Sequence, residues 1–350
     1  EICRRGNGAF CGQMSTFKVG LKLSASLALY NARAFDSKKR ASMFCLRKIS
    51  VAALGAAMLL AGCAQVPTTS SDTAPSFTNQ QSRCLTDAEI TQWAQAYAAR
   101  RPLANPPEGM TAADAACTRA KFQQRIAAES GELVGYKVTL SNVHVQKSFR
   151  TNEPVWGSYY RSMMLPAGRA VSAQFGAQSL YKANLLVRVK SSGINTAKTP
   201  EEVLAHVDQI IPYIELVDVL VEKPAQLTPN NIAAINAGAR LGVMGTPLAV
   251  PAAGRDRQRM LRELGTMSVH VIGANGRILA RGKGSDVMGH PLQSVVWLAG
   301  SLQQQGLELK PGQWVSLGAF TPILRPRAGT RITVAYPGLT GARSVSVNFK

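Results

Sequence analysis

The chain has 350 residues, of which 46% are hydrophobic and 17% are charged, a composition typical of a globular protein rather than a disordered one. Its formal net charge is +20, from 40 Lys and Arg against 20 Asp and Glu. The basic residues are scattered and form no run interleaved with aromatic side chains. The charge therefore does not predict a nucleic-acid-binding groove, and no nucleic-acid partner is expected.

An export signal is predicted at residues 43–62, after a stretch without a recognisable pattern. Residues 1–42 show no sustained pattern, and we interpret them as a non-native upstream extension. Residues 43–62, MFCLRKISVAALGAAMLLAG, place Arg47 and Lys48 before an apolar run and a small-residue cleavage site. The sequence around Cys63 resembles the bacterial lipobox, a resemblance that implies lipidation of this cysteine.

The predicted membrane anchor is a lipid and not a membrane-spanning helix. A membrane-spanning helix is the alternative, but the run of 12 residues is too short for a bilayer. We therefore expect a lipid-anchored protein on the periplasmic side of the bacterial cell envelope, held to the membrane through its N-terminal lipid alone. Without residues 1–62 the chain keeps 30 basic and 18 acidic residues, a net charge of +12.

Residues 63–83 are polar and lack an apolar period, so they are interpreted as a flexible tether between the lipid and a folded domain. Two cysteines, Cys84 and Cys117, remain after the lipidation site. In an exported protein such a pair favours a disulfide. Two buried free thiols are the alternative, because the sequence alone does not give the distance between them.

The folded part begins with two predicted helices. Thr86 with Glu89, and Thr111 with Asp114, have the spacing of a capping box. The apolar residues expected to face the core from these helices are Ile90, Trp93, Tyr97, Phe122 and Ile126.

Later segments alternate like strands. The strand-like runs are LVGYKVTLS, YKANLLVRVK, YIELVDVLVE, QWVSLG, TRITVAY and SVSVNFK. A capped helix is predicted to start at Thr199, Asn275-Gly276 predicts a hairpin turn, and the apolar stripe between Leu292 and Leu302 predicts another helix. These elements indicate an α+β fold, with N-terminal helices followed by a mostly antiparallel, strand-rich domain.

Five segments in this region appear in a familiar order. They are GYKVTLSN, NEPVWGSYY, TPEEVLAHVDQIIPYIELVD, GSDVMGHPLQSVVWLAGSL and LKPGQWVSLGAFTP. They resemble the corresponding segments of 2-keto-4-pentenoate hydratases, members of the fumarylacetoacetate hydrolase superfamily. The resemblance implies that residues 84–350 form one hydratase-like domain built on a rolled, mixed β-sheet. It also implies a site where Mg²⁺ or Mn²⁺ chelates a 2-oxo acid, and a reaction that adds water to a 2-hydroxy-dienoate.

The acidic residues implied by this resemblance are only partly present. Family members take two metal ligands from a Glu-x-Glu strand, whereas this chain has Lys182 and Asn184 there. Residues two apart on a strand share a face, so both side chains should point toward the implied metal position. The third acid of the family is present as Glu215. Glu215 is therefore a candidate metal ligand, or else an ordinary strand acid paired with a lysine.

Lys137 and His290 are the other candidate site residues. Lys137 matches the family lysine that lies at the substrate pocket, which makes it a candidate catalytic and substrate-binding residue; a solvated strand lysine is the alternative. His290 keeps the family's Gly-His-Pro context, and it belongs either to the pocket or to the start of a helix. With Lys182 and Asn184, these residues form the predicted substrate-binding set.

Three functions remain open from the sequence. The first is a binding protein for a small carboxylate or 2-oxo acid that has a degenerate metal site, no cofactor and no standard catalysis. The second is an active hydro-lyase of the 2-keto-4-pentenoate hydratase type, which would need Mg²⁺ or Mn²⁺. The third is a structural envelope lipoprotein with a vestigial pocket. Assembly into a homo-oligomer also stays open.

Overall fold

A computed structural model describes residues 83–350, which belong to one unit, Asn79–Lys350. The upstream extension 1–42, the signal segment 43–62, the lipidation site Cys63 and nearly all of the tether 63–83 lie outside the described residues. Within residues 83–350, no helix is both long and apolar enough to cross a membrane.

Two helices open the described part, α1 (Asp87–Ala98) and α2 (Ala112–Ser130), and both begin with the predicted capping boxes. Their predicted apolar residues are buried, and the ring of Phe122 makes edge contacts with Trp93 and Tyr97 at centroid distances of 5.6 and 5.7 Å. A disulfide joins Cys84 to Cys117, with the two Cα atoms 5.8 Å apart. It ties the residues just before α1 to the first half of α2.

The larger sheet is mixed and contains eight strands. Their bounds are β1 (Leu133–Thr139), β2 (Val155–Tyr160), β3 (Met164–Pro166), β5 (Ser179–Val189), β6 (Val207–Asp218), β7 (Ala239–Met244), β8 (Leu248–Ala249) and β11 (Trp314–Ser316). Their order is β2-β1-β11-β5-β6-β7-β3, and β8 pairs with β6. The pairs β1–β11 and β3–β7 are parallel, whereas the long β5–β6 pair is antiparallel.

A second sheet contains five strands, β4 (Ala170–Val171), β9 (Ser268–Gly273), β10 (Ile278–Lys283), β12 (Thr330–Ala335) and β13 (Val345–Phe349). Their order is β10-β9-β12-β13-β4. The predicted hairpin at Asn275-Gly276 joins β9 and β10, and Gly276 has the left-handed backbone (φ +77°) that such a turn favours.

Five further helices connect the strands. They are α3 (Val143–Phe149), α4 (Pro200–Ala205), α5 (Pro229–Ala234), α6 (Gly254–Thr266) and α7 (Gln293–Gln303). Helix α4 begins after Thr199 as predicted, and α7 buries most of its predicted apolar stripe.

The two faces of the larger sheet are buried in different cores. Leu185 on β5 packs in the main core with residues of the second sheet and α7, whereas Leu186 points the other way, toward the core that contains α1 and α2. Because side chains alternate along a strand, Lys182 and Asn184 share the face of Leu186. Lys182 and Asn184 therefore lie on the helix-covered side of the sheet.

A tyrosine near the second sheet inserts between the two longest strands. The hydroxyl of Tyr336, just after β12, donates a hydrogen bond to the carbonyl of Asn184 (2.6 Å) and accepts one from the amide of Tyr213 (3.0 Å). Asn184 and Tyr213 face each other in the β5–β6 register. The phenol is thus bound to the backbone of both strands at this point.

Candidate functional site

Two lysines meet one glutamate inside the larger sheet. Lys182 on β5 faces Glu215 on β6 in the antiparallel register, and its Nζ lies 3.3 Å from Glu215 Oε2. Lys137 on β1 forms an ion pair with the other carboxylate oxygen, Oε1. All three side chains are buried: Lys137 is fully enclosed, Glu215 is 1% exposed and Lys182 is 5% exposed. We call these residues, together with Asn184, the lysine cluster.

Neighbouring groups fix the two ammonium ions. Lys137 Nζ also donates a hydrogen bond to the carbonyl of Ala237 (2.8 Å). Lys182 Nζ has its hydroxyl neighbour at a longer distance, 3.4 Å from Thr139 Oγ1. Since hydrogen bonds of this type are usually near 2.9 Å, Lys182 is held less tightly than Lys137.

Asn184 has all of its amide hydrogen-bonding groups engaged. Its Nδ2 donates to Glu215 Oε2 and to Ser316 Oγ, both at 2.7 Å. Its Oδ1 accepts from the backbone amides of Leu185 (2.8 Å) and Gly318 (3.2 Å). The amide therefore joins the carboxylate to β11 and to the chain that follows it.

Electrostatic coupling in the lysine cluster is strong because little water reaches it. Burial by itself raises the pKa of Glu215, but the charges of Lys137 and Lys182 and hydrogen bonds from Lys137 and Asn184 outweigh it and lower that pKa to about 2. Burial, opposed by Glu215 and reinforced by Lys182, lowers the pKa of Lys137 to about 8. Burial, and then the negative charge of Glu215, raise the pKa of the nearby Tyr159 hydroxyl.

The residues of the lysine cluster do not fit a divalent metal ion. Its single carboxylate already pairs with Lys137 and Lys182, and it accepts a hydrogen bond from Asn184. Mg²⁺ and Mn²⁺ need several oxygen ligands, usually anionic ones, and two ammonium groups would repel either ion. Within residues 83–350, no three His, Cys, Asp or Glu side chains are grouped so that they could bind a metal. A metal role for Glu215 therefore has no support from this geometry.

The other buried acid of β6, Asp218, serves the backbone. Its carboxylate accepts hydrogen bonds from the amides of Ala177 (2.9 Å), Gln178 (2.8 Å) and Leu220 (3.1 Å). These bonds hold the chain before β5 and the turn after β6. Asp218 therefore supplies no second carboxylate to the lysine cluster.

His290 has contacts outside the lysine cluster. Its Nε2 lies 3.0 Å from the carbonyl of Leu261 on α6, and its Nδ1 accepts a hydrogen bond from the amide of Leu292, next to α7. Burial lowers its pKa. These contacts match the helix-start alternative, and they explain the Gly-His-Pro sequence without a ligand.

The structure thus brings together Lys137, Lys182, Asn184 and Glu215, four of the five predicted site residues. The prediction missed Thr139, Ser316 and the carbonyl of Ala237. Thr139 could have been found, because it lies two residues after Lys137 on the same strand and shares its face. The other two come from distant parts of the chain, and no local pattern indicates them.

The lysine cluster lines neither of two surface clefts in the described part of the chain. The larger has a volume of about 600 Å³ and includes Tyr136, Asn195, Leu307 and Lys310 in its lining. Tyr136 precedes Lys137 on β1 and belongs to the core on the opposite face of the sheet. The chemistry of the lysine cluster, and not the cleft volume, therefore makes it the candidate site.

Sequence comparison gives a consistent set of relatives, although no family model matches the chain. The chain is 28% identical over 240 residues to 4-oxalocrotonate decarboxylase of Pseudomonas putida, covering 69% of this chain and 86% of the relative. It is 27% identical over 218 residues to 2-hydroxyhexa-2,4-dienoate hydratase of Comamonas testosteroni, covering 61% and 79%. It is 25% identical over 254 residues to 2-keto-4-pentenoate hydratase of Paraburkholderia phymatum, covering 71% and 93%.

Solved structures show the same fold. 4-Oxalocrotonate decarboxylase from Pseudomonas putida G7, complexed with magnesium and adipate, matches 77% of this chain and 100% of its own, with a TM-score of 0.66 and 24% identity. The same enzyme complexed with calcium and acetate gives a TM-score of 0.64. The predicted α+β fold of the fumarylacetoacetate hydrolase type is confirmed. The chain is therefore similar in sequence to 2-keto-4-pentenoate hydratases and 4-oxalocrotonate decarboxylases, and it shares the fold of the latter.

Proposed function

We propose that this protein is a lipid-anchored relative of the hydratases and decarboxylases that binds a small carboxylate or 2-oxo acid through lysine charge and not through a metal. The observation that carries the proposal is the lysine cluster, where two buried ammonium groups face a single carboxylate. With its three ionisable groups charged, the cluster has a surplus of one positive charge.

A surplus charge in a buried place favours an anionic ligand. Moving an unpaired ion out of water costs several kcal/mol in a real protein, and a bound carboxylate offsets that cost by forming charge-assisted hydrogen bonds. Lys182 is the ammonium group with some remaining exposure and with long contacts. We assign to it the contact with the ligand, while Lys137 supplies a fixed charge behind it.

The chemistry of the relatives supports the ligand class. A decarboxylase with this fold is complexed with magnesium and adipate in one solved structure, and with calcium and acetate in a second structure. In this chain Lys182 would supply positive charge to a bound acid without a divalent ion. Metal-dependent addition of water is the alternative function, and the residues of the lysine cluster do not supply the acids that it would need.

The cellular location belongs to the same proposal. The lipobox-like sequence before Cys63 supports lipid attachment on the periplasmic side of the envelope. The disulfide between Cys84 and Cys117 is of a kind common in exported proteins and rare in the cytosol. A catabolic hydratase there would be separated from a cytoplasmic supply of its substrate, which favours binding over turnover.

A ligand panel tests the binding proposal. Pyruvate, 2-oxobutyrate, acetate and adipate are added to the purified protein, and the melting temperature is followed. A ligand that binds the native state should raise it, and Lys182→Met should abolish the increase. Lys198→Met is the matched control, since Lys198 is exposed. The proposal fails if no acid changes the melting temperature, or if Lys182→Met keeps the full increase.

A further inference from the structure

The lysine cluster places a primary amine, and not only a charge, at the candidate binding site. A buried lysine in a site that binds a carbonyl compound is a common setting for a nucleophilic amine. Lys137 and Lys182 are two buried amines that contact the same carboxylate, Glu215. Simple carboxylate binding makes no use of this reactivity.

The contacts distinguish the two amines. Lys137 is fully enclosed, and its Nζ is held by Glu215 and by the carbonyl of Ala237. Lys182 keeps 5% of its side chain exposed, and its nearest described polar neighbours are 3.3 and 3.4 Å away. Lys182 can therefore turn toward a ligand without breaking a short hydrogen bond, whereas Lys137 cannot.

We propose that Lys182 forms a covalent imine with the 2-oxo group of a 2-oxo acid. This inference rests on the proposed function, because the acid must first bind at the lysine cluster. The Lys182 ammonium first releases one proton to water. The neutral Nζ then attacks the carbonyl carbon and forms the C–N bond as the C=O π bond breaks, and a second proton passes from nitrogen to oxygen to give a carbinolamine. The oxygen takes back the proton that was released to water, the C–O bond breaks and water leaves, while nitrogen retains one hydrogen in the resulting iminium ion.

The surroundings suit the charges of this reaction. Glu215 remains ionised and lies beside the nitrogen, where it stabilises the positive iminium that replaces the original ammonium. The hydroxyl of Thr139 is within reach of Lys182 and can donate a hydrogen bond to the departing oxygen. The ammonium group of Lys137 remains charged and attracts the carboxylate of the ligand. No metal and no oxidant takes part, and water is the only product released.

Reductive trapping tests the proposal. The purified protein is incubated with pyruvate and sodium cyanoborohydride, and its intact mass and peptide map are measured. We expect the mass of one reduced pyruvate equivalent on the peptide that contains Lys182. Lys182→Arg keeps the positive charge but has no amine of this type, so it should lose the adduct. Lys198→Arg, which changes an exposed lysine, should keep it.

Oxamate separates the imine from simple binding. It has the size and charge of pyruvate, but its amide carbonyl does not form an imine, so it should raise the melting temperature and leave no adduct. If pyruvate and oxamate both stabilise the protein and no adduct forms on Lys182, the imine is refuted and binding stands. An adduct confined to Lys137 or to exposed lysines also refutes it. If neither compound stabilises the protein and no adduct forms, the proposed function itself fails.

Discussion

Glu215 balances one of the two ammonium groups that contact it, and this imbalance governs the energetics of the lysine cluster. The carboxylate receives Lys137 on one oxygen and Lys182 on the other, and Asn184 donates to it as well. Breaking a buried ion pair costs much more than replacing it with apolar groups, because a partner charge is left without compensation. The three ionisable side chains should therefore respond differently to mutation.

Glu215→Gln should destabilise the protein strongly, whereas Lys182→Met should not. The first change leaves two buried ammonium groups without a counter-charge, and a loss of about 3–5 kcal/mol in the free energy of unfolding is expected. The second removes the surplus charge and keeps the pair between Lys137 and Glu215, so stability should stay level or rise. Urea unfolding measures both variants. Equal destabilisation by the two would contradict the charge imbalance.

The free energy of unfolding should decrease in acid as Glu215 becomes protonated. Its pKa is lowered to about 2 in the folded protein, from an ordinary value of 4.5. The unfolded chain thus binds the proton first as the pH falls, so the stabilisation from this group is complete above about pH 4.5 and disappears toward pH 2. The stability difference between the native protein and Glu215→Gln should narrow over that range. Urea unfolding from pH 3 to pH 6 checks this, and a constant difference would rule it out.

Part of the site could be predicted from single residues. The two-residue period of a strand is enough to place Lys182 and Asn184 on one face, and the structure shows both touching Glu215. The hydrogen bond from Lys137 to the carbonyl of Ala237 could not be predicted. Ala237 lies 100 residues later in the chain and has a left-handed backbone that alanine rarely adopts.

Strands β5 and β6 determine which charges the lysine cluster brings together. Their register sets Lys182 directly opposite Glu215, and Asn184 lies one pleat away on the same face. A pair of acids on β5 would present three carboxylates on this face together with Glu215. The present pair adds one cation and one neutral amide instead.

Restoring the acids should therefore restore metal binding. Lys182→Glu combined with Asn184→Glu gives the face three carboxylates, and we expect it to bind Mn²⁺ with one-to-one stoichiometry in isothermal titration calorimetry. Lys182→Gln with Asn184→Gln is the matched control, because it removes the ammonium group without adding acids. Stoichiometric Mn²⁺ binding by the unmodified protein would instead refute the lysine-based site.

Local sequence patterns predicted the helices and the hairpin well, but they did not predict which strands lie next to each other in the sheets. The capping boxes at Thr86 and Thr111 give the starts of α1 and α2, and Asn275-Gly276 gives the hairpin. The strand predicted from Tyr213 begins earlier, at Val207, because its first residues are less apolar yet pair with β5 and β8. The parallel pairing of β1 with β11 joins segments about 180 residues apart, so only the tertiary fold determines it.

The fold of the molecule and its net charge have separate origins. Residues 83–350 contain 30 basic and 17 acidic side chains, so the described part has a formal charge of +13. The fold is shared with 4-oxalocrotonate decarboxylase at a TM-score of 0.66, although the two sequences are only 24% identical. The architecture is thus kept although most residues differ between the two proteins.

Attachment to the membrane should depend on one atom, the sulfur of Cys63. Cys63→Ser removes the thiol that a lipid would occupy, so the variant should move from the membrane fraction to the soluble fraction. Metabolic labelling with a radioactive fatty acid should disappear in the same variant, whereas Cys45→Ser, which changes a cysteine within the signal segment, should retain both properties. Unchanged fractionation and labelling would contradict the lipid anchor.

The phenol of Tyr336 links the two longest strands of the larger sheet without adding a charge. It is inserted between the opposing backbones of Asn184 and Tyr213, so it links the two strands at this point. A substitution at position 336 would therefore act on the strands that carry Lys182 and Glu215 while every charged side chain of the lysine cluster keeps its identity.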